Sequence, residues 1–194
     1  MNNPPFAEFG KGYVNRLNAA AESAPFAAIE QLADALIDCW RNNRQFFIFG
    51  NGGSAGNAIH LANDFLYGVS QLTGHGLRVH ALSANTAVVS CLANDLGYEH
   101  IFASQLDVLA QPGDVALALS GSGNSSNILR ALERCKELGI KSFALLGYSG
   151  GEAKDLADVP MHIAIDDMQI SEDLQLIIGH MLMQWLYEHR DEIK

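Results

Sequence analysis

Polar side chains that could bind a metal or transfer protons recur at helical spacing in the segment SAGNAIHLANDFLYG. If this segment is a helix, four polar residues that are three, four and three positions apart lie on one face. They are Asn57, His60, Asp64 and Tyr67. His60 and Asp64 are one turn apart, as two metal ligands or an acid–base pair need to be.

Two further polar candidates lie near the C-terminus. His180 interrupts the apolar segment LQLIIGHMLMQWL, and Glu172 shortly precedes this segment. A histidine in so apolar a segment needs a partner, because burying an unpaired polar group is unfavourable. If this segment faces the first, two imidazoles and two carboxylates meet, which is a donor set typical of zinc. These candidate ligands are His60, Asp64, Glu172 and His180. The alternative is that His180 is a core histidine with a hydrogen-bonded partner.

Two glycine-rich turns follow apolar runs and precede helical patterns. They contain Asn51, Gly52, Gly53 and Ser54 in the first turn, and Ser120, Gly121, Ser122, Gly123, Asn124 and Ser125 in the second. Backbone N–H groups at a helix N-terminus bind anions, and serine hydroxyls add donors. Neither turn matches the nucleoside-triphosphate or dinucleotide patterns, so the second turn predicts a phosphomonoester site. The alternative is an ordinary strand-to-helix turn with serine caps.

Asn94 and Asp95, in the segment ANDLGYEH, form a third polar element after an apolar helical pattern. They could reach sugar hydroxyls from the edge of a pocket. They could also simply cap or turn the chain, as Asx residues commonly do.

The elements that must position these residues are five apolar runs separated by helical segments. The runs predict strands at 45–50, 78–82, 114–120, 141–147 and 161–165. Continuous apolar strands that alternate with helices indicate an α/β fold with a parallel sheet covered on both faces. Residues 7–42 predict one or two helices, and residues 171–190 predict a further one. The last helix is apolar nearly all round, which favours a subunit interface over a purely internal core helix.

Composition excludes several classes of function. The chain has 194 residues, which suits one globular domain, and its formal net charge of -10 argues against nucleic acid and anionic membranes as partners. Three separated cysteines predict no disulfide framework. The N-terminus lacks the pattern of a secretory signal, and no apolar run is long enough for a bilayer, so we expect a cytoplasmic protein.

Four segments together resemble the sugar isomerase (SIS) domain family, and within it the phosphoheptose isomerases. They are FGNGGSAGNAIH, CLANDLGY, SGSGNSSN and IGHML, and the resemblance extends over residues 7–190. It implies a single SIS domain over 1–194, with an N-terminal helical region at 1–42 and an α/β core with the C-terminal helix at 43–194. It also implies a five-stranded parallel sheet and a homotetramer, built through the terminal helices, with sites between subunits.

The resemblance also implies a set of site residues. Substrate contacts fall on Asn51, Gly52, Gly53, Ser54, Asp64, Asn94, Asp95, Ser120, Gly121, Ser122, Ser125 and Glu172. The resemblance implies that one divalent ion per subunit, zinc, is bound by His60, Asp64, Glu172 and His180. Two positions depart from the family pattern, because Asp64 stands for a glutamate and Glu172 for a glutamine. Asp64 reaches about 1.5 Å less far than a glutamate, which leaves open whether the family reaction is preserved.

The function implied by the resemblance is the isomerisation of a phosphorylated sugar between ketose and aldose. The expected reaction converts sedoheptulose 7-phosphate to D-glycero-D-manno-heptose 7-phosphate through an enediolate, with Asp64 as base and His180 as acid. Glu172 is the spare base if Asp64 is committed to metal. The alternatives are a non-catalytic scaffold that binds the bacterial replication initiator, as some SIS relatives do, and a sugar-phosphate sensor.

Overall fold

The computed structural model describes residues 4–71 and 76–193. Its helices are α1 (Phe6–Glu22), α2 (Phe26–Arg41), α3 (Gly53–Asn63), α4 (Thr86–Asp95), α5 (Ala103–Leu109), α6 (Ser126–Leu138), α7 (Ala153–Leu156) and α8 (Met168–Glu188). Its strands are β1 (Gln45–Gly50), β2 (Arg78–Ala81), β3 (Val115–Ser120), β4 (Lys141–Leu146) and β5 (Val159–His162). A π-helical turn (Asp64–Gly68) extends α3, and short 3-10 turns lie at Tyr98–His100 and Arg190–Ile193.

The five strands form one parallel sheet in the order β2-β1-β3-β4-β5. This arrangement confirms the expected α/β fold class. The strand order reverses between β1 and β3, and open parallel sheets bind ligands beyond the carboxyl ends of the strands at such a switch point. Gly50 at the end of β1 pairs with Leu119 of β3, so the turns that follow these strands lie side by side.

The sheet separates two apolar cores, because successive side chains of a strand point to opposite faces. In β1, Phe46 and Ile48 pack with residues of α2, α3 and α8. Phe47 and Phe49 pack on the other face with residues of α5 and α6. Burial of both faces explains why the strands read as continuous apolar runs.

The fifth strand differs from its prediction. The run MHIAI predicts a strand at 161–165, whereas β5 spans Val159–His162. Pro160 lies within this strand, and it is tolerated because β5 is at the edge of the sheet and pairs only with β4. Ile163 continues along β4 by donating its N–H to the carbonyl of Leu146 at 2.9 Å. The pairing therefore starts two residues earlier than the apolar pattern indicates.

The C-terminal helix, α8, begins at Met168, where the Asp167 carboxylate accepts backbone N–H groups of the first turn. One face of α8 is buried in the core at Ile170, Leu174, Ile178, Leu182 and Leu186. The helix is thus part of the domain core, and its other side exposes Met181 and Trp185. Neither α8 nor any other helix within 4–71 and 76–193 has the length and apolar character that a bilayer span requires.

Candidate active site

The serine turn, residues 120–125, links β3 to α6 at the carboxyl edge of the sheet. Gly123 has a φ of +68°, a conformation that favours glycine, and its N–H donates to the hydroxyl of buried Ser120 at 3.0 Å. Ser125 is the N-cap residue of α6, but its hydroxyl makes no capping hydrogen bond in the described structure. The serine cap of the alternative interpretation is therefore not formed there, and this hydroxyl is available to an anion.

A glycine-rich segment after β4 packs directly against the serine turn. A side chain at Gly123 would overlap the carbonyl oxygen of Gly150. The N–H of Ala153 donates to the carbonyl of Gly123 at 3.0 Å, and the N–H of Glu152 donates to Asn124 Oδ1 at 3.0 Å. These bonds hold the backbone of the turn without any ligand, so its serine hydroxyls are preorganised.

The asparagine turn, residues 51–54, leads from β1 into α3. The side-chain amides of Asn51 and Asn127 exchange two hydrogen bonds of 2.8 Å each. Ser54 is buried, and its hydroxyl accepts a hydrogen bond from Gln175 Nε2 at 3.0 Å. Both ends of this turn are thus fastened by amide side chains, one from α6 and one from α8.

Helices α3 and α8 lie side by side and run in the same direction from this edge of the sheet, and we call their contact line the α3–α8 seam. At its start, Asn57 Nδ2 donates to the carbonyl of Glu172 at 3.0 Å and to Gln175 Oε1 at 2.9 Å. Further along, Gly179 lies so close to Leu61 that a Cβ would overlap the leucine side chain. The two helices are therefore in tight contact along the seam, from the two turns to the middle of both helices.

Three of the predicted metal ligands meet on the seam. Nε2 of His60 lies 2.9 Å from Nε2 of His180, and each lies 3.4 Å from Oδ2 of Asp64. A tetrahedral zinc ion with bonds of about 2.0–2.1 Å requires donor atoms about 3.3 Å apart, so these three donors fit that ion. The side chains of His60 and His180 are 49% and 42% exposed, which leaves the cluster open to solvent. His180 is therefore a partnered histidine at a surface cluster rather than a core histidine.

Glu172 does not join this cluster, although it was expected as the fourth ligand. It precedes His180 by eight positions on α8, a separation of about 12 Å along the helix axis. Its carboxylate lies instead against Gly53, where a Cβ would overlap both oxygens, and Gly52 and Gly53 are exposed beside it. In place of a set of four, the structure brings three side chains together and puts Glu172 at the start of the seam.

Asn94 and Asp95 are exposed at the end of α4 and bond within their own segment. Asn94 Nδ2 donates to Asp95 Oδ1 at 2.7 Å, and the Cys91 thiol donates to Asp95 Oδ2 at 3.4 Å. This hydrogen bond and the negative charge of Asp95 raise the pKa of the Cys91 thiol. The residue that connects this region to the asparagine turn is Tyr98, whose hydroxyl donates to Asn51 Oδ1 at 2.8 Å.

Three residues without a predicted role bond to the asparagine turn or the seam: Asn127, Tyr98 and Gln175. The importance of Asn127 and Gln175 could have been recognised from the sequence, because each amide lies on the apolar face of its helix. Asn127 is fully buried and Gln175 is 1% exposed. Buried amides require hydrogen-bond partners, so an amide at a core position of an amphipathic helix indicates a tie to another element.

Comparison with known proteins places the chain in a family. Residues 11–147 match the SIS domain. The chain is 37% identical over 161 residues to the phosphoheptose isomerase of Helicobacter pylori (strain P12), and the match covers 83% of each chain. The solved phosphoheptose isomerase structures from Neisseria gonorrhoeae and Francisella tularensis superpose with TM-scores of 0.85 and 0.86 at 26% identity. These superpositions cover 94% of this chain, with 98% and 96% of the respective structures.

The match to the SIS domain spans most of the chain, and the relatives and solved structures agree with it along nearly the whole length. This chain therefore belongs to the SIS domain family.

Proposed function

We propose that this protein is an aldose–ketose isomerase that converts sedoheptulose 7-phosphate to D-glycero-D-manno-heptose 7-phosphate. The observation that carries the proposal is the α3–α8 seam. The seam starts beside two anion-type turns and leads to a cluster of His60, Asp64 and His180. The relatives named phosphoheptose isomerase align with 82–83% of this chain at 37–38% identity, which supports the same substrate and reaction.

The dimensions of the seam suit an extended sugar phosphate. Glu172 and His180 are about 12 Å apart along α8, which is comparable with the length of an extended seven-carbon chain bearing a terminal phosphate. We assign the phosphate to the serine turn, where Ser120, Ser122 and Ser125 supply hydroxyls and α6 supplies its positive N-terminal end. The carbonyl end of the sugar then extends along the seam, with Glu172 beside its hydroxyl groups.

Asp64 and His180 are the proposed proton-transfer residues. Asp64 removes the proton from the carbon next to the carbonyl, which leaves an enediolate, and returns it to the neighbouring carbon. His180 transfers a proton between the two oxygens through Nδ1, because its Nε2 faces the cluster. Asp64 Oδ2 faces both imidazoles, while Oδ1 accepts a hydrogen bond from Asn63 at 3.2 Å. The carboxylate thus has a second oxygen directed away from the imidazoles.

We further propose that His60, Asp64 and His180 hold one divalent ion, zinc. Three protein ligands with an open fourth position are typical of catalytic rather than structural zinc sites. A bound ion would polarise the sugar carbonyl and so make the neighbouring proton more acidic. Glu172 is not needed as a ligand in this arrangement, and its position beside Gly53 suits a substrate contact or a second base.

The expected homotetramer is part of the proposal. Phe26 of α2 and Trp185 of α8 are 55% and 38% exposed, and they line an apolar groove of about 460 Å³ between the two helices. A second copy of the chain would cover such a surface. Sites between subunits would also give the exposed Asn94 and Asp95 access to a substrate, and we retain them as substrate contacts of a cytoplasmic enzyme.

The test of the proposed function is turnover. Purified protein is incubated with sedoheptulose 7-phosphate, the aldose product is followed by NMR, and metal content is measured on the same sample. We expect formation of the aldose 7-phosphate, its loss after chelation and its recovery when zinc is returned. A protein with neither turnover nor bound metal would contradict the proposal and favour the scaffold or sensor.

A further inference from the structure

A buried amide pair joins the two turns of the candidate site. We infer that Asn127, assisted by Tyr98, is a positioning residue that fixes the asparagine turn relative to the serine turn. The side chain of Asn51 bonds to Asn127 and Tyr98 rather than to the substrate, and we call these hydrogen bonds the tie. The kinetic part of this inference rests on the proposed function, whereas the structural part does not.

The geometry of the tie is reciprocal. Nδ2 of Asn51 donates to Oδ1 of Asn127, and Nδ2 of Asn127 donates to Oδ1 of Asn51, both at 2.8 Å. Asn127 is fully buried, and it lies in the first turn of α6, directly after the serine turn. Asn51 immediately follows β1. Because β1 and β3 are adjacent in the sheet, this pair connects the two turns at the switch point.

A count of donors and acceptors shows what is left for a ligand. A side-chain amide has two acceptor lone pairs on oxygen and two N–H donors. Both lone pairs of Asn51 Oδ1 are used, one by Asn127 Nδ2 and one by the hydroxyl of Tyr98 at 2.8 Å. A sugar hydroxyl cannot donate to this oxygen without displacing one of them. Contact with a substrate at this position therefore falls to the backbone or to the one remaining N–H.

The tie matters because the two turns would hold different parts of one substrate. The serine turn would bind the phosphate, and the asparagine turn opens the helix that carries His60 and Asp64. Their separation therefore sets where the carbonyl end of the sugar lies relative to the base. A misplacement of about 1 Å costs on the order of 100-fold in rate. Removal of the Asn127 amide also leaves Asn51 without its main partner.

The first test is kinetic and uses Asn127→Ala with Ser142→Ala as the matched control. Ser142 is buried and bonds to Asp158 at 2.8 Å, at the opposite end of the sheet, so its loss also removes a buried polar pair. In Asn127→Ala we expect kcat for sedoheptulose 7-phosphate to fall about 10- to 100-fold. Inhibition by inorganic phosphate should weaken less than kcat falls, because the segment after β4 still holds the serine turn. Ser142→Ala should retain both values.

Tyr98→Phe keeps the test decisive if Asn127→Ala fails to fold, because Tyr98 is 51% exposed and the change removes only a hydroxyl. We expect a decrease in kcat in the same direction but smaller, about two- to tenfold, the worth of one neutral hydrogen bond. Unchanged kcat in the folded variants, or an equal loss in Ser142→Ala, would overturn the positioning role.

The second test is amide hydrogen exchange, which does not depend on turnover. Loss of the tie should accelerate exchange in residues 51–54 and 121–125 together, and Ser142→Ala should leave both segments unchanged. Acceleration confined to one turn would overturn the inference. If the wild-type protein shows no turnover but this coupled acceleration is seen, the proposed function fails and the tie stands.

Discussion

Gly179→Ala is the most informative single change at the α3–α8 seam. Gly179 precedes His180, and an added Cβ would overlap the side chain of Leu61, which is fully buried and follows His60 directly. Because Leu61 is fully buried, its side chain can shift only by displacing neighbouring core residues. We therefore expect the added methyl group to push α3 and α8 apart at the point where their two histidines are 2.9 Å from each other.

Two opposing effects decide the stability of this variant. Overpacking a core costs about 1–3 kcal/mol, whereas replacing a helical glycine by alanine returns about 1 kcal/mol. The net loss in the free energy of unfolding is at most about 2 kcal/mol, or at most about 8 °C in Tm for a chain of this size. Separation of the cluster by about 1 Å should lower kcat about 100-fold. Activity should therefore fall far more than stability.

The assay combines thermal denaturation with steady-state turnover of sedoheptulose 7-phosphate. Gly56→Ala is the matched control, because Gly56 is on α3, is exposed and has open space where a Cβ would lie. This control should be as stable as wild type or more so, with unchanged kcat. Adding Leu61→Ala to Gly179→Ala should recover part of the lost kcat. Wild-type kcat in the folded Gly179→Ala variant would refute the reasoning about the seam.

Three further results are expected. Ser122→Ala should raise KM for sedoheptulose 7-phosphate about tenfold or more, because a hydrogen bond to a charged group contributes about 1.5–3 kcal/mol; unchanged KM in steady-state kinetics would contradict the phosphate assignment. Gln175→Leu should lower the free energy of unfolding by about 1–3 kcal/mol in urea titrations, since Ser54 and Asn57 lose a buried partner. An unchanged free energy of unfolding would mean that these hydrogen bonds are not stabilising. Asp95→Asn should speed alkylation of Cys91 by iodoacetamide at pH 8, because the Asp95 carboxylate raises the pKa of the thiol and so lowers its thiolate fraction. If mass spectrometry shows no increase in the alkylation rate, the pairing of Cys91 with Asp95 is contradicted.

Most of the fold could be predicted from the sequence because burial leaves a local pattern. Strands covered on both faces read as continuous apolar runs, and β1 and β4 begin where those runs predict. The misjudged strand was β5, in which Pro160 separates Val159 from the rest of the apolar run. A proline is acceptable there only because β5 is an edge strand, and the position of a strand within a sheet is not a local property.

The candidate site could be predicted only in part. Helical spacing aligned His60 with Asp64 on one face, and the apolar surroundings of His180 on a distant helix indicated that this histidine needs a polar partner. Spacing could not show that Glu172 lies about two turns from that cluster, since any residue on a facing helix is a possible ligand until the register between the two helices is known. Asn127 was missed for the same reason: its partner is remote in sequence, and only the fold brings them together.

The most direct test of the central claim is kcat for sedoheptulose 7-phosphate in Asp64→Asn and His180→Gln. Asp34→Asn at an exposed position of α2 and His189→Gln at the end of α8 repeat the same chemical changes away from the cluster. Loss of a proton-transfer residue should lower kcat about 100- to 10,000-fold, while the two controls keep wild-type values. Turnover by Asp64→Asn and His180→Gln at the wild-type rate would contradict the assignment of this cluster as the catalytic centre.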